Sequence, residues 1–188
     1  YQDTLYAHIQ RQYYRNCRIS GTIDFVFGDA LSIFQNCTFL VRNPLPNQSC
    51  MVTAQGRFDP RSVTAIVIDG CEIRADPAFL SRNPMPRAYL GRPWKVRSRT
   101  IIMRTEIGGF IAPEGWAPWD GEFALDTLYY AEYGNTGPGS NTTGRVTWRG
   151  IQHIESEAAA LWSPTRAYGG DGWITKTGIP YSSVTVMA

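Results

Sequence analysis

Tyr14-Arg15-Asn16-Cys17-Arg18-Ile19 recurs as Phe34-Gln35-Asn36-Cys37-Thr38-Phe39 and again as Ile68-Asp69-Gly70-Cys71-Glu72-Ile73. A weaker fourth copy is Ile102-Met103-Arg104-Thr105-Glu106-Ile107, so the copies begin at residues 14, 34, 68 and 102. Self-similarity at such intervals predicts equivalent strands on successive turns of a coil, with loops inserted where the interval grows. The runs Thr64-Ala65-Ile66-Val67-Ile68-Asp69 and Arg99-Thr100-Ile101-Ile102-Met103 alternate as short strands do. The repeat therefore predicts an all-β coil stack, a parallel β-helix.

Outward from the repeat, loops are expected at Asn43-Pro44-Leu45-Pro46-Asn47, Asn83-Pro84-Met85-Pro86 and Gly134-Asn135-Thr136-Gly137-Pro138-Gly139. Beyond Arg149 the pattern changes. Glu155-Ser156-Glu157-Ala158-Ala159-Ala160-Leu161-Trp162 predicts a short helix ended by Pro164, and Gly169-Gly170-Asp171-Gly172-Trp173-Ile174 leads into a tail. This segment is expected to pack on the end or side of the stack, so residues 1–188 are read as one domain.

The composition agrees with a turn-rich globular chain, at 43% hydrophobic residues with 18 Gly and 12 Pro. No run of about 18 apolar residues is present, so no membrane span is predicted. No signal peptide is legible at the start, which opens inside a recognisable block; a fragment is expected, with its leader, any pro-region and first coils upstream. Net charge is +2, and apart from Lys95 and Lys176 every basic residue is arginine, a side chain suited to bidentate pairing with carboxylates. That balance admits a polyanionic partner without choosing among polyanions.

Four cysteines, Cys17, Cys37, Cys50 and Cys71, include no C-x-x-C pair, and with only two histidines no zinc site is expected. An even count predicts at least one disulfide in a secreted chain. Stacking brings Cys37 to Cys71, and equally Cys17 to Cys37, within bridging reach. Of three glycosylation sequons, Asn36 is read as an inward ladder residue, leaving Asn47 and Asn141 as candidate acceptors.

Asp3 and Asp24 lie about one coil apart, in Gln2-Asp3-Thr4-Leu5-Tyr6 and Gly21-Thr22-Ile23-Asp24-Phe25-Val26-Phe27-Gly28. An ionised group inside Ile-Asp-Phe-Val-Phe costs several kcal/mol unless paired. Two readings fit it: chemistry, or a strand aspartate that caps a turn or pairs with a structural arginine.

These strings, with Tyr89-Leu90-Gly91-Arg92-Pro93-Trp94, Thr53-Ala54-Gln55-Gly56-Arg57 and Ala124-Leu125-Asp126-Thr127-Leu128-Tyr129-Tyr130-Ala131-Glu132-Tyr133, resemble the signature blocks of the plant pectin methylesterases in order and spacing. The resemblance implies a right-handed, pectin lyase-like parallel β-helix, here without its N-terminal coils. It implies hydrolysis of the C6 methyl esters of pectin, releasing methanol. Asp24 is then the nucleophile, Arg92 the cation that keeps it ionised and aimed, Gln2 an oxyanion donor, and Asp3 the acid and later the base. Trp94 is expected to stack on a sugar ring, with Tyr6 and Phe27 beside it, and Trp116 and Trp119 to rim the groove. Trp148, Trp162 and Trp173 are expected to pack.

The resemblance also favours the Cys37–Cys71 pairing. It implies a secreted, monomeric cell-wall enzyme with no cofactor, metal, nucleic-acid or membrane partner, held in check by a small helical inhibitor protein. A second oxyanion glutamine is implied upstream of Tyr1. Asp29 stands where the family commonly carries Asn, and Val96-Arg97 departs from the usual pattern; both are expected to tune substrate pattern or pH optimum.

Two other readings predict different features. A β-helical lyase or polygalacturonase requires a calcium cluster, or paired aspartates with a Gly-His-Gly block, and the sequence has neither; it also lacks the G-x-S-x-G elbow of a serine esterase. An inert, pectin-binding or structural wall protein would be expected to lose the five residues Gln2, Asp3, Asp24, Arg92 and Trp94, and all are present.

Overall fold

The computed structural model describes residues 1–182; the last part of the expected tail, residues 183–188, lies outside the described residues. Four coils contribute three strands each. They are β1 (Leu5–Tyr6), β2 (Arg11–Arg15) and β3 (Arg18–Gly21), then β4 (Val26–Gly28), β5 (Leu31–Gln35) and β6 (Thr38–Val41). The next two coils hold β7 (Cys50–Gln55), β8 (Ala65–Asp69) and β9 (Glu72–Ala75), then β10 (Ala88–Gly91), β11 (Arg99–Met103) and β12 (Glu106–Ile107). Two further strands, β13 (Tyr129–Tyr133) and β14 (Ile151–His153), extend the stack.

Equivalent strands pair in parallel into three sheets, ordered β1-β4-β7-β10, β2-β5-β8-β11-β13-β14 and β3-β6-β9-β12. The register follows the repeat: Phe34 sits opposite Tyr14 and Ile68, and Ile68 opposite Ile102. Leu5 pairs with Val26, which places Asp3 and Asp24 at corresponding positions of neighbouring coils. A fifth copy, Glu132-Tyr133-Gly134-Asn135-Thr136, continues the register, with Glu132 opposite Ile102.

Each turn from the second to the third sheet uses one left-handed residue, at Asn16, Asn36, Gly70, Arg104 and Gly134, with φ of 55°, 50°, 59°, 49° and 59°. Asn and Gly tolerate that conformation, which explains their recurrence before the cysteine. Asn36 donates to Asn16 across the coils at 2.8 Å. This ladder faces solvent, not inward as the sequence led us to expect, because the left-handed residue turns its side chain out of the corner. Asn47 and Asn141 also lie on exposed turns.

The cysteines build a second ladder at the same corner. The N–H of Cys17 donates to Cys37 Sγ (3.4 Å), that of Cys37 to Cys71 Sγ (3.3 Å), and that of Cys71 to Thr105 Oγ1 (3.3 Å). Each of these side chains also donates to the carbonyl two residues before it. All four cysteines are free, so the expected Cys37–Cys71 bridge is not formed in the structure. The thiols instead satisfy corner backbone groups.

Phe25, Phe34, Phe39, Val52, Ile66, Ile68, Ile73 and Ile102 fill the interior of the coils. The outer face of the second sheet is also apolar: Leu31, Ile33, Ala65, Val67, Ile101 and Met103 pack against Ala159, Tyr168 and Ile174. A first short helix, α1 (Pro77–Leu80), follows β9; these last three core residues come from helices α2 (Ser156–Ala160) and α4 (Gly172–Thr175) and from the end of α3 (Pro164–Ala167). The C-terminal segment thus covers the side of the stack, so β5 and β8 are buried on both faces along their whole length. Pro164 opens α3 as well as closing α2, since its fixed φ suits a first helical position. No described helix is long and apolar enough to cross a membrane.

Candidate active site

Asp24 occupies the corner between β3 and β4 with φ of 51°, and Asp3 takes the same conformation one coil away, at 55°. Backbone bonds hold this corner from both sides. Asp3 N–H donates to Ile23 O and Leu5 N–H to Phe25 O on one side; Met51 N–H donates to Thr22 O and Phe25 N–H to Met51 O on the other. A non-glycine residue held in this sparse region costs about 1–3 kcal/mol, and such strain concentrates at functional sites.

Arg92 follows β10 and reaches Asp24 with a fork: Nε donates to Oδ1 at 2.8 Å and Nη2 to Oδ2 at 2.7 Å. Its backbone N–H is bound to Thr53 O, and the ring of Trp119 lies 4.5 Å from its guanidinium carbon. Gly91, just before it, has no room for a side chain, since a Cβ there would stand 2.1 Å from Thr53 Oγ1. Strand packing therefore fixes where the arginine starts, and the tryptophan covers it.

Asp24 is 4% exposed. Burial raises its pKa above the usual value, the Arg92 hydrogen bonds and charge pull it down, and the charge of Asp3 raises it again; the balance is upward. The lowering expected from the Arg92 cation is present, and burial outweighs it. Both carboxylate oxygens nevertheless accept from the guanidinium, a geometry that suits the ionised form.

The carboxylate opens into a cavity of about 120 Å³ lined by Gln2, Asp3, Asp24, Phe27, Ala54, Trp94 and Trp119. Gln2 and Asp3 are exposed, and neither side chain bonds to any described residue. Gln2, Asp3, Phe27, Trp94 and Trp119, five residues expected at the site besides Asp24, thus meet in one place. Arg92 stands behind Asp24 and is not part of the lining. Tyr6 lies next to the cavity, stacked on Phe27 at 4.7 Å, with Trp94 set edge-on to both. Of the two loop tryptophans only Trp119 reaches the groove. Trp116 is 1% exposed and stacks on Tyr130, because its backbone pairs with Gly91 and turns the ring into the coil interior.

Ala54 was not singled out from the sequence; its signal was its place in the Thr53–Arg57 block. Asp29 pairs with His8 at 2.9 Å and accepts the Ile9 N–H, and these bonds outweigh burial to lower its pKa. The departure from Asn at that position is thereby matched with a partner.

The pectinesterase family model matches residues 1–171. A putative pectinesterase/pectinesterase inhibitor of Arabidopsis thaliana is 56% identical over 181 residues, covering 96% of this chain and 25% of its own. A pectinesterase of Petunia integrifolia is 50% identical over 186 residues, 97% of this chain and 50% of its own. The solved structure of the pectin methylesterase from carrot superposes with a TM-score of 0.94 at 47% identity, covering 96% of this chain and 57% of the carrot chain. The chain spans a quarter to about half the length of these curated relatives. With a family model over nearly all of it and this degree of identity, the chain belongs to the pectinesterase family.

Proposed function

We propose that this chain carries the catalytic centre of a pectin methylesterase, which hydrolyses C6 methyl esters of galacturonosyl units to carboxylates and methanol. The observation that supports it most is the Arg92–Asp24 fork at the base of a cavity that Asp3, Gln2 and Trp94 also line.

An Asp24 oxygen attacks the ester carbonyl, whose oxygen takes the negative charge and accepts from the Gln2 amide. As the C–O bond to methoxide breaks, Asp3 gives it a proton and methanol leaves. The sugar is then bound to Asp24 as an anhydride. Asp3, now ionised, takes a proton from water, and the resulting hydroxide attacks the acyl carbon. The Asp24–acyl bond breaks, leaving a galacturonic acid carboxyl, a protonated Asp3 and an ionised Asp24, and the new carboxyl then loses its proton to solvent. Arg92 restrains the nucleophile throughout, and Trp94 supplies an apolar ring beside the reacting sugar.

The substrate places the enzyme in the extracellular cell wall, and a proteinaceous inhibitor that covers the cleft is its proposed partner. Methanol release from highly methylated pectin by the complete enzyme tests the function. Release that disappears in Asp24→Asn supports it; binding of pectin with no release moves the assignment to a wall-binding protein.

A further inference from the structure

A second cavity, of about 240 Å³, lies at the C-terminal end of the stack, where β13 and β14 meet the turn over residues 142–148. It shares no lining residue with the catalytic cavity. At about 30 Å³ per molecule it has room for roughly eight waters, far more than a bridging water needs. Trp116 and Tyr130, both buried and stacked at 4.2 Å, form its apolar floor, with Trp148 beside them. Thr142, Thr143, Thr147 and His153 also line it, and none of these four side chains bonds to any described residue.

The charged residues of the wall, Glu132 and Arg145, are committed to each other. Arg145 Nε donates to Glu132 Oε1 at 2.7 Å and Nη2 to Oε2 at 2.9 Å, with the two side chains 7% and 9% exposed. Nη1 and Nη2 also donate to the carbonyls of Pro113 and Gly139. A uronate carboxylate would therefore find no free cation here and would be left unpaired. An aromatic floor with hydroxyls and an imidazole around it suits a neutral sugar, which is apolar on its face and polar along its edge.

The chain itself carries an attachment point for such a sugar at the rim. Asn141-Thr142-Thr143 is a glycosylation sequon, and two of its three residues line the cavity. Asn141 is exposed, and its Oδ1 accepts the Thr143 N–H at 3.0 Å. That bond holds the carboxamide in place and leaves Nδ2 unbonded to any described residue. Consecutive Cα atoms stand about 3.8 Å apart, so a sugar on Asn141 begins within one residue of the wall.

We propose that Asn141 carries an N-linked glycan whose first N-acetylglucosamine seats in this cavity, against Trp148. In its attachment Asn141 Nδ2 loses a proton and bonds to C1 of the sugar. The C1–O bond to a lipid pyrophosphate donor breaks, and the pyrophosphate leaves with the electron pair. Strand β14 ends the second sheet and has one edge unpaired, so a sugar over its end shields a template for aberrant pairing and helps cap the stack. The proposal rests on the extracellular reading, because the glycan is added on the secretory route.

The complete enzyme, expressed for secretion from plant cells, tests it. Mass analysis of the peptide holding Asn141 is expected to show a glycan, lost in Asn141→Gln. Enzyme recovered from the medium with Asn141 bare overturns the proposal and leaves the extracellular reading standing. Enzyme retained inside the cell overturns both.

Seating is read separately. Trimming to the single root sugar is expected to leave Tm unchanged, whereas Asn141→Gln lowers it by about 2–4 °C and speeds amide exchange at Ile151–His153. In Thr147→Ala/His153→Ala, which keeps the sequon, the gap between the trimmed form and its Asn141→Gln counterpart closes. Turnover of methylated pectin stays at the wild-type rate in every form. If the trimmed and Asn141→Gln forms melt and exchange alike, or if the gap persists in the double variant, the sugar does not occupy the cavity and the proposal fails.

Discussion

Arg92 and Asp24 are 68 residues apart and meet through two parallel hydrogen bonds of 2.8 and 2.7 Å. Strand β7 runs between the strands that lead to them. It offers Ala54 at the row shared by Phe27 and the residue after Gly91. A small residue there leaves the cavity open in front of the pair.

Asp24→Asn is expected to lower kcat by about 10⁴-fold or more, as loss of a nucleophile does. The fold should persist, because Asn is nearly the same size and accepts the left-handed corner at φ 51°. Methanol release and a thermal melt check both halves. Retained turnover removes Asp24 from the role of nucleophile.

The raised pKa of Asp24 sets a pH dependence. A nucleophilic carboxylate works ionised, so activity is lost as pH falls through its folded pKa, and that acid limb lies above the ordinary value of 3.8. Arg92 pulls the pKa down, so Arg92→Lys, which keeps a charge but loses the fork, moves the limb to higher pH. A kcat/KM profile showing the limb unmoved contradicts the assigned role of Arg92. For stability the sign is reversed from a typical paired acid. The folded state holds the Asp24 proton more tightly than the unfolded chain, so this group's contribution declines as pH rises through the raised pKa.

Gln2→Ala removes a donor that acts on the developing oxyanion. A fall in kcat of about 10²–10³-fold with little change in KM is expected. Steady-state kinetics on methylated pectin distinguish this from a binding role, in which KM rises and kcat holds.

Asp69 accepts from Gln35 Nε2 at 3.0 Å and from the Arg104 guanidinium, at a corner away from the cavity. The carboxylate is 6% exposed and Arg104 18%. Asp69→Ala strands a largely buried cation and is expected to cost about 3 kcal/mol, lowering Tm by about 6–12 °C. Specific activity at a temperature where both proteins are folded should stay near wild type. An unchanged melt shows that water replaces the carboxylate.

Sequence alone determined the coil architecture and the candidate residues. A parallel stack in register demands equivalent residues at equivalent places, so the copies at Asn16, Asn36 and Gly70 expose the corner, and the interval from Asp3 to Asp24 exposes one coil. The family blocks added Arg92, Gln2 and Trp94. The fifth copy at Glu132–Thr136 was hidden because Glu132 stands where the others carry Tyr14, Phe34, Ile68 and Ile102, and Asn135 where three of them carry cysteine.

Tertiary structure alone decided how those residues act. Loop lengths between coils are irregular, so nothing local says that Trp119 lies over Arg92 or that Trp116 turns into the core. The direction of the Asp24 pKa depends on burial summed over several strands, which no single segment encodes. The cysteines make the same point: their period announced stacking, and in the structure each sulfur of Cys37 and Cys71 accepts from the N–H of the cysteine one coil before it, with no bridge between them. Periodicity reports which face a residue occupies; only the summed path of the chain brings two such faces into contact.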